Sequence, residues 1–149
     1  MPKINVSVKI KGPKEKVYKL IKDLERFPSF IRDVKRVNIV KYLNNGLITN
    51  WEIDVEGTPL RWKEEDYFDD KNYLLKFVML EGDYQAYHGN WSINELDLNN
   101  TRLTLEVSFD WEIPPVLEKY IGKILERKAR RSILGMLQAI KKKIEKDNV

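Results

Sequence analysis

Glu64 and Asp66 are the two residues of this 149-residue sequence best placed by type and spacing to do chemistry. Two positions apart on a strand, their side chains point the same way. A carboxyl pair can act as general acid and base, or can hold one polar group of a ligand, once burial raises its pKa values. The same two residues also suit a plainer role, with Asp66 wetted at a strand end and Glu64 paired to a tyrosine or a backbone amide. They are therefore catalytic candidates only, and no firm catalytic residue stands beside them. The lone histidine, His88, alternates with inward residues and falls on the outer face with Asn90 and Ser92. No Ser/His/Asp arrangement can be assembled from inner positions. The absence of cysteine excludes a thiol nucleophile, a disulfide framework and a cysteine-held metal. One histidine excludes a multi-histidine metal site. Neither a phosphate-binding G-x-x-x-x-G-K-[ST] loop nor a G-x-G-x-x-G dinucleotide fingerprint is present. No metal and no cofactor are expected.

The elements that must position the carboxyls follow from periodicity. Ile4, Val6, Val8 and Ile10 alternate with polar residues as a half-buried strand. Gly12-Pro13 then opens a helix carrying Val17, Leu20, Ile21 and Leu24 on one stripe. Phe27, Pro28, Phe30 and Ile31 make a second short helix. From Val34 to Asp110, turn signals separate about six strands joined by short connections, so the sheet is mostly antiparallel. After Pro114-Pro115 a helical pattern runs to about Lys146, roughly 45 Å long. Its expected apolar stripe is Ile121, Leu125, Ala129, Ile133, Met136, Ile140 and Ile144.

One helix cannot cover a seven-stranded sheet completely, so a sheet curved around it should enclose a chamber. Charge pairing registers the hairpin at Gly57-Thr58: Asp54 opposite Arg61 and Glu52 opposite Lys63 on the wet face. The inner face then sets Val55 against Leu60, Ile53 against Trp62, Trp51 against Glu64 and Thr49 against Asp66. Trp51, Trp62, Glu64, Phe77, Met79, Tyr87 and Trp91 become the candidate ligand-binding wall. Ile133, Met136 and Ile140 close it from the helix, and Phe27, Phe30 and Ile31 form its mouth. A solid apolar core rejects unpaired acids, whereas a chamber with a mouth or ordered water admits them.

Net charge is +4. It is uneven: residues 114–149 carry a net +6 and the rest −2. Arg127, Lys128, Arg130 and Arg131 cluster, as do Lys141, Lys142 and Lys143. Such runs form the solvated back of an amphipathic helix and offer an anionic surface, RNA or membrane, a place to touch. No DNA partner is expected. The lack of a signal segment or a spanning run makes a cytoplasmic protein the expectation.

The order strand, two short helices, six strands, long helix resembles the helix-grip fold of the START-like superfamily, also called SRPBCC or Bet v 1-like. Within it the chain is similar to the polyketide cyclase/dehydrase and coenzyme Q-binding group. The resemblance covers nearly all of residues 1–149, as one domain. It rests on the run Val17 to Pro28 with Phe30, on Trp62-x-Glu64-Glu65 before Phe68-Asp69, and on Glu81-Gly82-Asp83. Gly89-x-Trp91 and Thr101-Arg102-Leu103-Thr104-Leu105 complete it. It implies an α+β protein with a curved seven-stranded antiparallel sheet wrapped round the C-terminal helix. It also implies a pocket for a lipophilic molecule such as a quinone, an isoprenoid lipid or a polyketide. Some relatives act on the ribosome, which would use the basic helix. Aromatase/cyclase members carry an arginine four residues after the pocket tryptophan; here that position after Trp62 is Asp66. Binding or transport is thus the leading expectation, with cyclase or dehydratase chemistry through Glu64 and Asp66 as the enzyme alternative.

Overall fold

Seven stretches of alternating apolar and polar residues become the seven strands of one sheet. The computed structural model describes residues 2–111 and 113–147. Strand β1 (Lys3–Lys11) is followed by α1 (Lys14–Lys22) and a 3-10 turn at Leu24–Ser29. Then come β2 (Val34–Leu43), β3 (Gly46–Val55), β4 (Thr58–Asp69), β5 (Leu74–Gly82), β6 (Ala86–Asp97) and β7 (Asn100–Asp110). The long helix α2 spans Pro115–Asp147. Every pairing is antiparallel, in the order β1-β7-β6-β5-β4-β3-β2. Strands β1 and β2 therefore lie on opposite edges, and α1 with the 3-10 turn carries the chain from one to the other. Tyr18 and Lys22 of α1 both donate to Asp70 Oδ1 at 2.8 Å, tying the helix to the β4–β5 turn. Among the described residues no helix is long and apolar enough to cross a membrane.

The β3–β4 hairpin corrects one expectation. Glu56 and Gly57, not Gly57 and Thr58, form its two-residue loop, with Val55 paired to Thr58. Both loop residues have positive φ, 49° and 92°. A two-residue hairpin of this hand needs positive φ at both centres, and glycine fills the second most easily. The Asp54 carboxylate also accepts from the Gly57 amide at 2.6 Å. Glu52 therefore faces Arg61 and Trp51 faces Trp62, while Asp54 lies opposite Pro59. The slip is two residues, so it changes partners without changing faces.

Helix α2 corrects another. Of the expected stripe Ile140 and Ile144 are fully buried, with Leu137 beside them, yet Ile121 is 37% exposed. The predicted stripe advances mostly in steps of four, each overshooting a full turn by about 40°. From Ile121 to Ile144 it winds about 140° round the helix, so a straight helix cannot present all of it to the sheet.

Candidate functional site

Glu64 and Asp66 point inward from β4 and are almost completely buried, 3% and 0% exposed. A bulge places Glu64: Lys63 pairs with Glu81 but Glu64 with Met79, which leaves Leu80 unpaired in β5. Such an extra residue re-aims the strand locally. The indole N–H of Trp62 donates to Glu64 Oε1 at 2.6 Å. The Thr49 hydroxyl donates to Asp66 Oδ2 at 2.6 Å and accepts from the Trp51 indole N–H at 2.8 Å. Asp66 Oδ1 is buried with no hydrogen-bond partner.

Burial pushes the Glu64 carboxyl well above the usual glutamate range, and the Asp66 carboxyl beside it pushes it further; the Trp62 N–H opposes. Burial raises Asp66 as well, against the contacts with Glu64 and Thr49. Burial and mutual repulsion raise both members of the pair, so together they hold a shared proton above the usual carboxylate range. Burial likewise raises the phenols of Tyr87 and Tyr84. Both stay neutral.

An aromatic layer covers the pair. Trp51 and Trp62, partners across β3 and β4, stack with centroids 5.6 Å apart and planes 5° from parallel. Tyr87 meets Trp62 at 4.9 Å, Tyr84 at 4.9 Å and Phe77 at 5.3 Å. The cavity bounded by these rings, Glu64, Trp91 and the α2 residues Ala129, Ser132, Ile133 and Met136 measures only about 40 Å³. That holds one or two waters. The chamber expected from the sheet's size is thus largely filled by the rings that line it.

Some predicted site residues lie elsewhere. Phe27, expected at the mouth, is fully buried and meets Trp51, Trp91 and Phe30 edge-on at 5.9–6.0 Å. The 3-10 turn carries it under the sheet, where it plugs the space beside the tryptophans. Ile140 is fully buried in the core, and Met79 is half-buried against it; neither lines the cavity. Phe30 and Ile31 line a separate surface groove of about 790 Å³ between the 3-10 turn and α2. Ser132 and Met136 border both spaces, so they form the wall between groove and interior. Three hydrogen bonds hold this stretch of α2: Ser132 Oγ donates to Asp33 Oδ2 at 2.9 Å, and the Arg131 guanidinium donates twice to the Glu56 carboxylate at 2.9 and 3.1 Å. His88 is exposed, and among the described residues no group of three potential ligands is placed to hold a metal.

Tyr84, Thr49 and Ser132 were not predicted as site residues. Thr49 shares the inner face with Trp51, so parity alone could have found it. Tyr84 had no such signal. Strands β5 and β6 pair only from Leu74–Ser92 to Val78–His88, and the segment between them folds Tyr84 inward.

Residues 10–136 match a family described as polyketide cyclase / dehydrase and lipid transport. Curated protein sequences provide no match. Among solved structures, a protein from Thermus thermophilus is 24% identical with a TM-score of 0.92, covering 99% of this chain and 100% of that one. The Zhui aromatase/cyclase from Streptomyces gives 17% and 0.90, covering 99% and 96%. A START superfamily protein from Mycobacterium smegmatis gives 15% and 0.83, covering 97% of each. At these identities the likeness is one of fold.

Proposed function

The chain belongs to the polyketide cyclase/dehydrase and lipid transport family, and we propose that it binds a lipophilic small molecule, a quinone or isoprenoid lipid, between the sheet and α2. The observation that carries this is the aromatic layer over a proton-holding carboxyl pair, separated from a large groove by a methionine and a serine. Aromatic walls with one convergent polar group are the usual make-up of such a site. The present cavity is too small for a ligand of that class. Entry therefore requires Met136 to swing and the Trp62 and Tyr87 rings to turn. Met136 suits this, since its unbranched side chain adapts at low cost. Neutral Glu64 would then donate to a ligand carbonyl.

Tryptophan emission tests the proposal. A short-chain ubiquinone analogue should quench Trp51 or Trp62, saturating at about one per chain and persisting at high salt, because apolar burial is not screened. Met136→Trp should block the passage and weaken the binding while the fold survives, since Met136 is only half-buried. Absence of saturable quenching by any quinone or isoprenoid alcohol refutes the binding proposal.

A second reading is a cyclase or dehydratase in which Glu64 gives a proton and Asp66 takes one. The Asp66 oxygen without a partner favours it. Turnover of a poly-β-ketone mimic, lost in both Glu64→Gln and Asp66→Asn, would establish it.

A further inference from the structure

The N-terminal half of α2 exposes five large apolar side chains: Val116 at 73%, Leu117 at 43%, Tyr120 at 68%, Ile121 at 37% and Ile124 at 46%. Their placement is not random. With Val116 at zero and about 100° per residue, all five fall between 0° and about 140°. The residues that bury against the sheet, Leu137, Ile140 and Ile144, fall between about 240° and 300° on the same scale. The exposed apolar arc therefore faces away from the sheet, and only at its C-terminal end does the sheet reach it, where Glu56 of the β3–β4 loop accepts from Arg131.

The charges along this half of the helix are uneven too: cations stand on the arc and off it, Lys119 and Arg130 at about 300° and 320°, whereas the acids stand only off it. Arg127, Lys128 and Arg131 fall on the apolar arc at about 20°, 120° and 60°, and Lys123 borders it. Both acids of residues 115–131, Glu118 and Glu126, fall outside it, at about 200° and 280°. Further along, Lys142 and Lys146 continue the arc at about 80° and 120° and line the groove beside Phe30 and Ile31. A single face of α2 thus runs from apolar to basic and ends at the groove that borders the interior.

We propose that this face docks α2 onto an anionic lipid bilayer, with Leu117, Tyr120, Ile121 and Ile124 in the acyl boundary and Arg127, Lys128 and Lys142 among the headgroups. An amphipathic helix with apolar side chains beside clustered cations lies in the plane of such an interface. A second copy of this chain fits the face less well. The arc of residues 116–131 carries cations and no acid, so a copy laid on it would set cation against cation. Bilayer docking through this face is separate from ligand binding and holds whether or not the interior takes a ligand. It also places the groove mouth at the membrane surface.

The test is co-sedimentation of the full chain with vesicles of phosphatidylcholine alone and with one-third phosphatidylglycerol. Binding should be strong only to the anionic vesicles and should fall as salt rises. Each surface cation near such a membrane is worth roughly fivefold in affinity, so Arg127→Ser with Lys128→Ser should weaken binding roughly 25-fold. Tyr120→Ser with Ile124→Ser should weaken it further and leave circular dichroism unchanged, because both side chains are exposed. Equal sedimentation with neutral and anionic vesicles would overturn the proposal. So would anionic binding unaffected by either double variant, or a dimer in solution that Tyr120→Ser with Ile124→Ser dissociates.

Discussion

Replacing Glu64 by glutamine isolates the stability cost of the buried acid pair. Glutamine keeps the shape and still accepts from the Trp62 indole N–H, which reaches Oε1 at 2.6 Å. It removes the proton that titrates. In the unfolded chain the two carboxyls ionise near their ordinary values, about 3.9 and 4.3. In the folded protein burial raises both, Glu64 the more. Above about pH 4.3 the native state therefore holds more protons than the unfolded state, and stability must fall as pH rises. The contribution is complete below the unfolded values and is lost progressively until pH passes the raised native value. The slope is about 1.4 kcal/mol per pH unit for one proton. Two units of traverse cost about 3 kcal/mol, a large share of the 5–15 kcal/mol that holds a domain of this size.

Asp70, Asp97 and Glu145 are held below the carboxylate range by hydrogen bonds from Lys22, Asn99 and the Lys11 amide respectively. Their slopes have the opposite sign and are confined to acid pH, so the assay belongs above pH 5. Urea midpoints followed by tryptophan emission would be measured for both proteins from pH 5 to 8 at constant ionic strength. The difference at each pH cancels the titrating groups that do not touch Glu64, and leaves Glu64 together with the Asp66 carboxyl beside it. The glutamine protein should gain on the wild type as pH rises, by about 1.4 kcal/mol per unit while the native proton stays bound. Parallel profiles would refute the shared proton.

Two further substitutions test the packing around the pair. Phe27→Ala should cost about 3–5 kcal/mol in urea denaturation, because the ring is fully buried between Trp51, Trp91 and Phe30; a cost below about 1 kcal/mol would return Phe27 to the rim of a mouth. Gly89→Ala should lower the thermal midpoint, with a cost above about 1 kcal/mol. Its Cβ would fall on the Glu106 carbonyl of the neighbouring strand and close to the Phe77 ring, and backbone cannot rotate aside; an unchanged midpoint would show that β6 and β7 are free to separate there.

The seven-stranded sheet, its inward face and the carboxyls on that face were legible because strand parity is robust. Moving the β3–β4 loop by one residue slips every partner from Thr49 to Val55 by two, yet each side chain keeps its face. The turn itself was legible in principle: an Asp54-x-x-Gly57 motif with two positive-φ centres points to Glu56-Gly57. Charge pairing misled because Glu52 has an Arg61 and an Arg36 within reach and Asp54 needs neither, its oxygen being used by the turn.

The interior volume depends on information of another kind. Parity says which side chains enter the space between sheet and helix but not how their rings turn once there. Trp51 can either leave a chamber or stack on Trp62, and the difference between a ligand-sized hole and about 40 Å³ lies in a few side-chain torsions. The 3-10 turn adds Phe27 to the same space, which no alternation within a strand could announce. Helix α2 fails for a related geometric reason. Its apolar positions satisfy a local rule at every step, but a drift of about 40° per four residues accumulates, and only the first or the last turns can meet the sheet. The sheet is met by Leu137, Ile140 and Ile144, and the apolar side chains of the first turns are left facing outward. A pattern that is amphipathic at each turn therefore yields a helix with two apolar faces, one for the fold and one still available to a partner.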